Sequence, residues 1–289
     1  MNSIFNSART IAGQVENLLA ESGIMFRIFC RAKTLDSLEA KINKNPGKYT
    51  GDKKIQDIIG IRIALYFIDD IAVVKSLICK KFNYLPEHST IDTPADSSFS
   101  ATRYNLMFSL PDDHKVSDEM EDKYKSCVDD TFELQLRTIL SEGWHEIDHD
   151  LRYKCEPDWV GLPSESRILN GVYATLETSE WTLLKLFEDI AYKHYKSSSW
   201  SAMLQNKFRI RLREAIISAE ILEILDSDQD LCKAIYRYDR DKLFKCLSER
   251  PSFPLTADNI IYIMNLDSFK NSSLRALTPQ YLMNWWATA

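Results

Sequence analysis

TFELQLRT, residues 131–138, alternates strictly: Phe132, Leu134 and Leu136 fall on one face and Glu133, Gln135 and Arg137 on the other. Successive side chains of a strand point to opposite faces, so this octapeptide reads as a half-buried strand with a core face and a polar face. A carboxylate, an amide and a guanidinium in a row make the polar face a site candidate. A half-buried strand needs no function to be polar on one side, so its neighbours must decide. Downstream, residues 138–154 form a helix in which Leu140, Trp144, Ile147 and Leu151 share one side, placing it directly behind the strand.

Upstream, residues 8–22 carry Ile11, Val15, Leu18 and Leu19 at helical spacing. MFRIFCRAK (25–33) is short, β-branched and aromatic and reads as a strand. TLDSLEAKINKN follows as a helix up to the Pro46-Gly47 break. IIGIRIALYF (58–67) is a second strand with a helix over 69–81, and ATRYNLMFSL (101–110) a third after a polar stretch at 86–100. Residues 111–130 are dense in Asp, Glu and Lys and predict an exposed loop or short helix. A long helix spans 165–195, SSSWSA at 197–202 marks a boundary, and helices follow at 207–225, 230–247, 257–264 and 278–286. The expectation is an α+β domain over 1–197, a mixed sheet flanked by helices, and an all-helical region over 198–289.

Composition narrows the classes. The 289 residues are 45% hydrophobic and 27% charged, enough for a sizeable core, and the net charge of -6 provides no global basic field for nucleic acid. Six scattered cysteines without a CxxC pair read as reduced thiols, and no stretch approaches an apolar membrane span, so a cytoplasmic protein without membrane contact is expected.

GWHEIDHD, residues 143–150, contains His145, Glu146 and His149 in the HExxH spacing of a zinc peptidase. Two imidazoles four apart share a helix face and suit Zn²⁺ when a third ligand follows. Where the extended motif has Gly and His, this chain has Arg152 and Cys155, and Asp148 and Asp150 add charge where such a helix packs apolar residues. Glu165 or Glu177 remain formal third ligands.

A different constellation carries more chemistry. Lys33, Ser37 and Lys41 gather at the start of the second helix, where free amide donors and the helix dipole favour an anion, giving a triphosphate cradle without glycines. Asp57 and Glu133 are separated carboxylates suited to Mg²⁺ and to taking a proton from a hydroxyl, the division of labour in phosphoryl transfer.

RAKTLDSLEAK, IQDIIGIRI and ELQLRTILSEGWHEIDHDLRYK, in this order, resemble the synthetase domain of the RelA/SpoT alarmone family. Arg31, Lys33, Ser37 and Lys41 match its R-x-K-x-x-x-S-x-x-x-K pattern. Asp57, Gly60 and Arg62 match D-[IL]-x-G-x-R. Glu133, Gln135, Arg137 and Thr138 match E-x-Q-[IL]-R-T, and Trp144, Glu146, His149, Tyr153 and Lys154 match W-x-E-x-x-H-x-x-x-Y-K. The resemblance covers residues 25–155 and makes the zinc spacing a coincidence. It implies a nucleotidyltransferase-like fold and transfer of pyrophosphate from ATP to a ribose 3′-hydroxyl. It also implies that Arg31 and Arg62 sandwich the adenine and that Lys33, Ser37 and Lys41 hold the ATP phosphates. Asp57 and Glu133 would bind Mg²⁺, Glu133 would activate the acceptor, Gln135 and Arg137 would orient Glu133 or the acceptor, and Glu146 and His149 would support the strand.

The family's K-x-N-x-Y-x-S-x-H stretch is rewritten here, with Ser97, Phe99, Ala101, Arg103 and Asn105 in its five positions. Loss of the cation and the stacking ring is expected to weaken free GDP or GTP as acceptor, base stacking alone being worth about 1–3 kcal/mol. Three functions follow as expectations: a small alarmone synthetase, a toxic relative acting on the tRNA 3′ end, or a nucleotide-binding module signalling through the helical tail to an antitoxin or sensor partner. No His-Asp hydrolase segment is expected upstream, which leans toward toxin or defence biology. Lys44, Lys48, Lys53 and Lys54 are the local basic patch that a tRNA acceptor would need.

Overall fold

The computed structural model describes residues 2–49, 53–92, 103–248 and 253–287. Contacts divide the chain into two units, residues 1–17 with 26–180 and residues 18–25 with 181–289.

Up to residue 180 the elements alternate: α1 (Asn2–Glu21), β1 (Phe26–Ala32), α2 (Leu35–Lys44), β2 (Ile59–Leu65), α3 (Asp70–Lys81), β3 (Thr90–Ile91), β4 (Tyr104–Ser109), α4 (Val116–Glu119), α5 (Asp122–Lys125), β5 (Thr131–Thr138), α6 (Ile139–Asp148) and α7 (Pro163–Lys196). The sheet order is β1-β2-β5-β4-β3. Only the β2–β5 pair is parallel, so the sheet is mixed. On one face Ile59, Ile61, Ile63, Leu65, Phe132, Leu134, Leu136, Leu106 and Phe108 are fully buried. There Phe108 stacks on Phe132 at 5.2 Å, and Phe82 meets Phe132 edge-on at 5.3 Å. The period-2 pattern that buries this face forces the polar residues of the same strands onto the other.

Two helix starts aim the site. Thr34 caps α2, its hydroxyl accepting from the Ser37 amide. Thr138 and Ser141 form a reciprocal capping box at the start of α6. The last residue of β5 is therefore also the cap of α6, and the chain turns from strand to helix without a loop.

The second unit is helical: α8 (Trp200–Phe208), α9 (Ala219–Ser227), α10 (Gln229–Arg237), α11 (Arg240–Ser248), α12 (Ala257–Met264), α13 (Ser272–Leu277) and α14 (Gln280–Ala287). Leu225, Ile235, Tyr238 and Leu243 are buried in it as core.

Several expected boundaries are corrected. The helix expected over 207–225 is broken because Arg209 is left-handed (φ 47) and the next residues bond elsewhere: Arg211 N–H to Gly23 O and Arg213 N–H to Leu255 O, both at 2.7 Å. These bonds satisfy the backbone without a helix. The helix expected over 230–247 is split at Tyr238, whose extended backbone sends its hydroxyl to Asp267 at 2.8 Å. The helix expected over 138–154 is α-helical only to Asp148 and continues as a π-helical turn, His149–Tyr153. Trp144 is buried, but Ile147, still within α6, is 52% exposed and Leu151, in the π-helical turn, 61%, so they do not pack behind the strand. β3, of two residues, and α13, of six, are too short to show a period, whereas α8 carries Trp200, Met203, Leu204 and Phe208 at helical spacing behind a serine-rich start that reads as a boundary.

Candidate active site

Register builds the polar face. Arg31 pairs with Gly60, Gly60 with Glu133 and Glu133 with Met107; one row over, Phe29 pairs with Arg62, Arg62 with Gln135 and Gln135 with Asn105. Directly opposed residues project to the same face. Arg31, Arg62, Glu133 and Gln135 thus converge, with Phe29, Gly60 and Glu146, around a cleft of about 200 Å³. The arginine lies across Gly60: a Cβ there would meet Arg31 Nε at 3.4 Å and its Cγ at 3.5 Å, ordinary van der Waals contact. Among the described residues the Arg31 guanidinium has no hydrogen-bond or ion-pair partner.

Glu133 is held by amides rather than cations. Asn105 Nδ2 donates to one carboxylate oxygen at 3.1 Å and Gln135 Nε2 to the other at 3.0 Å. Burial, and then the negative charge of Asp57, push its pKa above the usual carboxylate value, against the weaker pull of Gln135, Arg31 and Lys41. A group with a raised proton affinity is suited to accept a proton or to meet a divalent cation.

Beside it, Asp57 is clamped. Lys33 Nζ bonds Oδ2 at 2.7 Å and Lys41 Nζ bonds Oδ1 at 2.9 Å. Burial opposes the Asp57 charge, but the two ammonium bonds outweigh it and hold the pKa below the usual value. The lysines differ. At Lys33 desolvation outweighs the ion pair and lowers the ammonium pKa, whereas at Lys41 desolvation is overcome by Asp57 and the pKa rises. Ser37, the third residue of the cradle, is exposed and its hydroxyl accepts from Thr34 Oγ1 at 2.9 Å.

Arg62 lies in a ring of acceptors. Its Nη1 bonds Glu142 Oε1 at 2.7 Å and also reaches Glu146, and its Nε donates to Gln135 Oε1 at 3.3 Å. Arg137 bonds the other Glu142 oxygen through Nη1 at 3.1 Å and the same Gln135 carbonyl through Nη2 at 3.1 Å. Since the Gln135 carbonyl serves both arginines, its amide nitrogen faces Glu133. Burial, and then the charge of Arg62, lower the Arg137 pKa.

Glu142 was not singled out from the sequence, although it stands four residues before Glu146 and shares its helix face. Phe29, 53% exposed on the cleft side, was missed because a lone aromatic in a strand reads as core. His149 is not brought to the cleft: its hydrogen bond goes to Asp150 and its ring stacks on Tyr153. Glu146 supports Arg62 rather than Glu133 directly. Ser97, Phe99 and Ala101 lie outside the described residues, while Arg103 forms an ion pair with Asp92 at 2.8 Å and Asn105 holds Glu133.

The HExxH triplet does not converge on a metal. His145 contacts the Tyr173 ring edge-on, and its pKa is lowered to about 4 by burial and then by Arg137 and Arg62, a cationic setting hostile to Zn²⁺. Among the described residues no group of three or more His, Cys, Asp or Glu could hold a metal ion. A Mg²⁺ ion commonly uses one or two carboxylates and completes its shell with water and phosphate. Asp57 and Glu133 fit that donor set, the charge of one raising the proton affinity of the other.

Residues 30–158, which hold most of the sheet and of the cleft, match the family model described as the region found in RelA / SpoT proteins. The chain is similar to GTP pyrophosphokinase YjbM of Bacillus subtilis (strain 168), 28% identical over 126 residues, 43% of this chain and 54% of that protein. It thus spans about half the length of that curated relative. Among solved structures, small alarmone synthetase 1 of Bacillus subtilis aligns with a TM-score of 0.47 at 20% identity, covering 64% of this chain and 92% of that one. Small alarmone synthetase 2 of the same organism aligns at 0.48 and 18%, covering 65% and 97%.

Proposed function

We propose that this protein is an ATP-dependent pyrophosphokinase that transfers the β,γ-pyrophosphoryl group of ATP to a ribose 3′-hydroxyl, of a nucleotide or of the tRNA 3′ end. The observation that carries the reading is the convergence of two guanidiniums and a carboxylate of raised proton affinity on one cleft, next to two lysines that share a single aspartate.

In this reading Arg31 and Arg62 stack on the donor base. The hydrogen bonds of Arg62 lie in its guanidinium plane and leave the faces of that plane for stacking. Lys33, Ser37 and Lys41 take the phosphates, the lysines exchanging Asp57 oxygens for phosphate oxygens. The acceptor oxygen bonds to the β-phosphorus, the bond from that phosphorus to the α,β-bridging oxygen breaks, and AMP leaves. Glu133 receives the hydroxyl proton, and Gln135 and Asn105 fix the direction of its carboxylate. Mg²⁺, held by Asp57 and Glu133 when bound, supplies charge neutralisation to the triphosphate.

Support for the reaction class comes from the family match and from the GTP pyrophosphokinase relative. Lys44, Lys48, Lys53 and Lys54 are all exposed, as a polyanionic acceptor requires. The test is incubation with ATP labelled in its terminal phosphates, in parallel with GDP, GTP, adenine nucleotides and bulk tRNA. Label in a guanosine tetra- or pentaphosphate identifies an alarmone synthetase, and label in tRNA identifies a tRNA-modifying enzyme. No label in any acceptor, with ATP still bound, leaves a nucleotide-binding module and overturns the enzymatic reading.

A further inference from the structure

We propose that Glu142 is a positioning residue of this site: it holds Arg62 in its stacking plane and, through the paired arginines, turns Gln135 toward Glu133. The inference rests on the donor-nucleotide reading above.

Glu142 is 14% exposed and gives one oxygen to each guanidinium, Oε1 to Arg62 and Oε2 to Arg137. Two partly buried guanidiniums bound to one carboxylate repel, and after burial it is the charge of Arg62 that lowers the Arg137 pKa. Glu146 also reaches Arg62, but it is 49% exposed and stands 3.8 Å from Arg137. Glu142 is therefore the carboxylate that separates the two charges.

The requirement is for a carboxylate rather than any polar group. An amide in its place would aim an N–H₂ donor at one of two cations that can only donate. Arg62 and Arg137 also share the Gln135 carbonyl, so displacing them releases the Gln135 amide from Glu133. The local structure prepares the contact: Glu142 is in the first turn of α6, fixed by the Thr138–Ser141 capping box, where the helix N-terminus favours an acidic side chain. Its bonds run to the arginines and not to the Lys33–Asp57–Lys41 cluster, so it acts on the base half of the donor site.

The test measures binding calorimetrically for two Mg²⁺-bound probes, a non-hydrolysable ATP analogue and inorganic tripolyphosphate. Glu142→Gln is expected to lose about tenfold in affinity for the analogue while tripolyphosphate binding stays within about twofold. Adding Arg137→Gln to Glu142→Gln removes the repulsion and is expected to recover about threefold of the lost analogue affinity. Retained tripolyphosphate binding also reports that the variants are folded. Wild-type analogue affinity in Glu142→Gln, an equal loss for both probes, or no recovery in the double variant overturns the positioning role. A wild-type protein that binds tripolyphosphate but gains nothing from the nucleoside overturns the donor reading instead.

Discussion

Lys41 Nζ lies 2.9 Å from Asp57 Oδ1, with Lys33 on the other oxygen of the same carboxylate. The carboxylate is thus neutralised on both sides by the groups proposed to bind phosphate. Because its folded pKa is below the ordinary 3.8, its contribution to stability is complete above about that pH and is lost as pH falls through the lower folded value. Asp57→Asn should cost about 1.5–3 kcal/mol near neutrality, the usual range for hydrogen bonds to charged groups. Urea midpoints of the two proteins should differ fully at about pH 6 and converge in strong acid. A constant difference at all pH values would disprove the linkage.

Glu133 has the opposite sign. Its folded pKa is raised above 4.5, so the folded state binds more protons than the unfolded one, and stability is lost as pH rises from about 4.5 through the folded value. Glu133→Gln should therefore melt higher than wild type at neutral pH while losing pyrophosphoryl transfer, as expected of a strained functional group. Calorimetry at about pH 7 and pH 4 checks this, the gain vanishing in acid. A lower melting temperature for the variant at neutral pH would contradict it.

Removing a cation from the triphosphate side should weaken the donor and spare the fold. Lys41→Ala is expected to reduce affinity for a non-hydrolysable Mg²⁺–ATP analogue about tenfold or more, since each charge-assisted phosphate bond is worth a kcal/mol or more. Arg31→Ala, lying across Gly60 without a protein partner, should reduce it with little change in melting temperature. Unchanged affinity in both variants would remove the nucleotide from this cleft.

His145 should remain neutral across the physiological range, with its pKa lowered to about 4 by burial and by Arg137 and Arg62. Its imidazole carbon resonances should not titrate between about pH 5.5 and 8. Metal analysis should find no stoichiometric zinc, and chelator should leave the melting temperature unchanged. One zinc per chain, lost with unfolding, would restore the metal reading.

Local pattern carried much of this protein. The alternation in residues 131–138 placed Glu133, Gln135 and Arg137 on one face of a strand because the pleat leaves no other choice, and β5 spans those residues. The helical spacing after Thr34 put Ser37 and Lys41 one turn apart, and α2 keeps them there. Other features depend on partners distant in sequence. The order β1-β2-β5-β4-β3 sets Arg62 beside Gln135, 73 residues away, and only that register lets Glu142 bridge two arginines. Left-handed Arg209 breaks an expected helix because Gly23 and Leu255 offer its successors other acceptors. The sequence by itself determined the strands and helices that hold the site and the polar face of β5, since those depend on periods of 2 and 3.6. Which charges meet was decided by the tertiary structure, since Coulomb and hydrogen-bond energies depend on distances that periodicity does not encode.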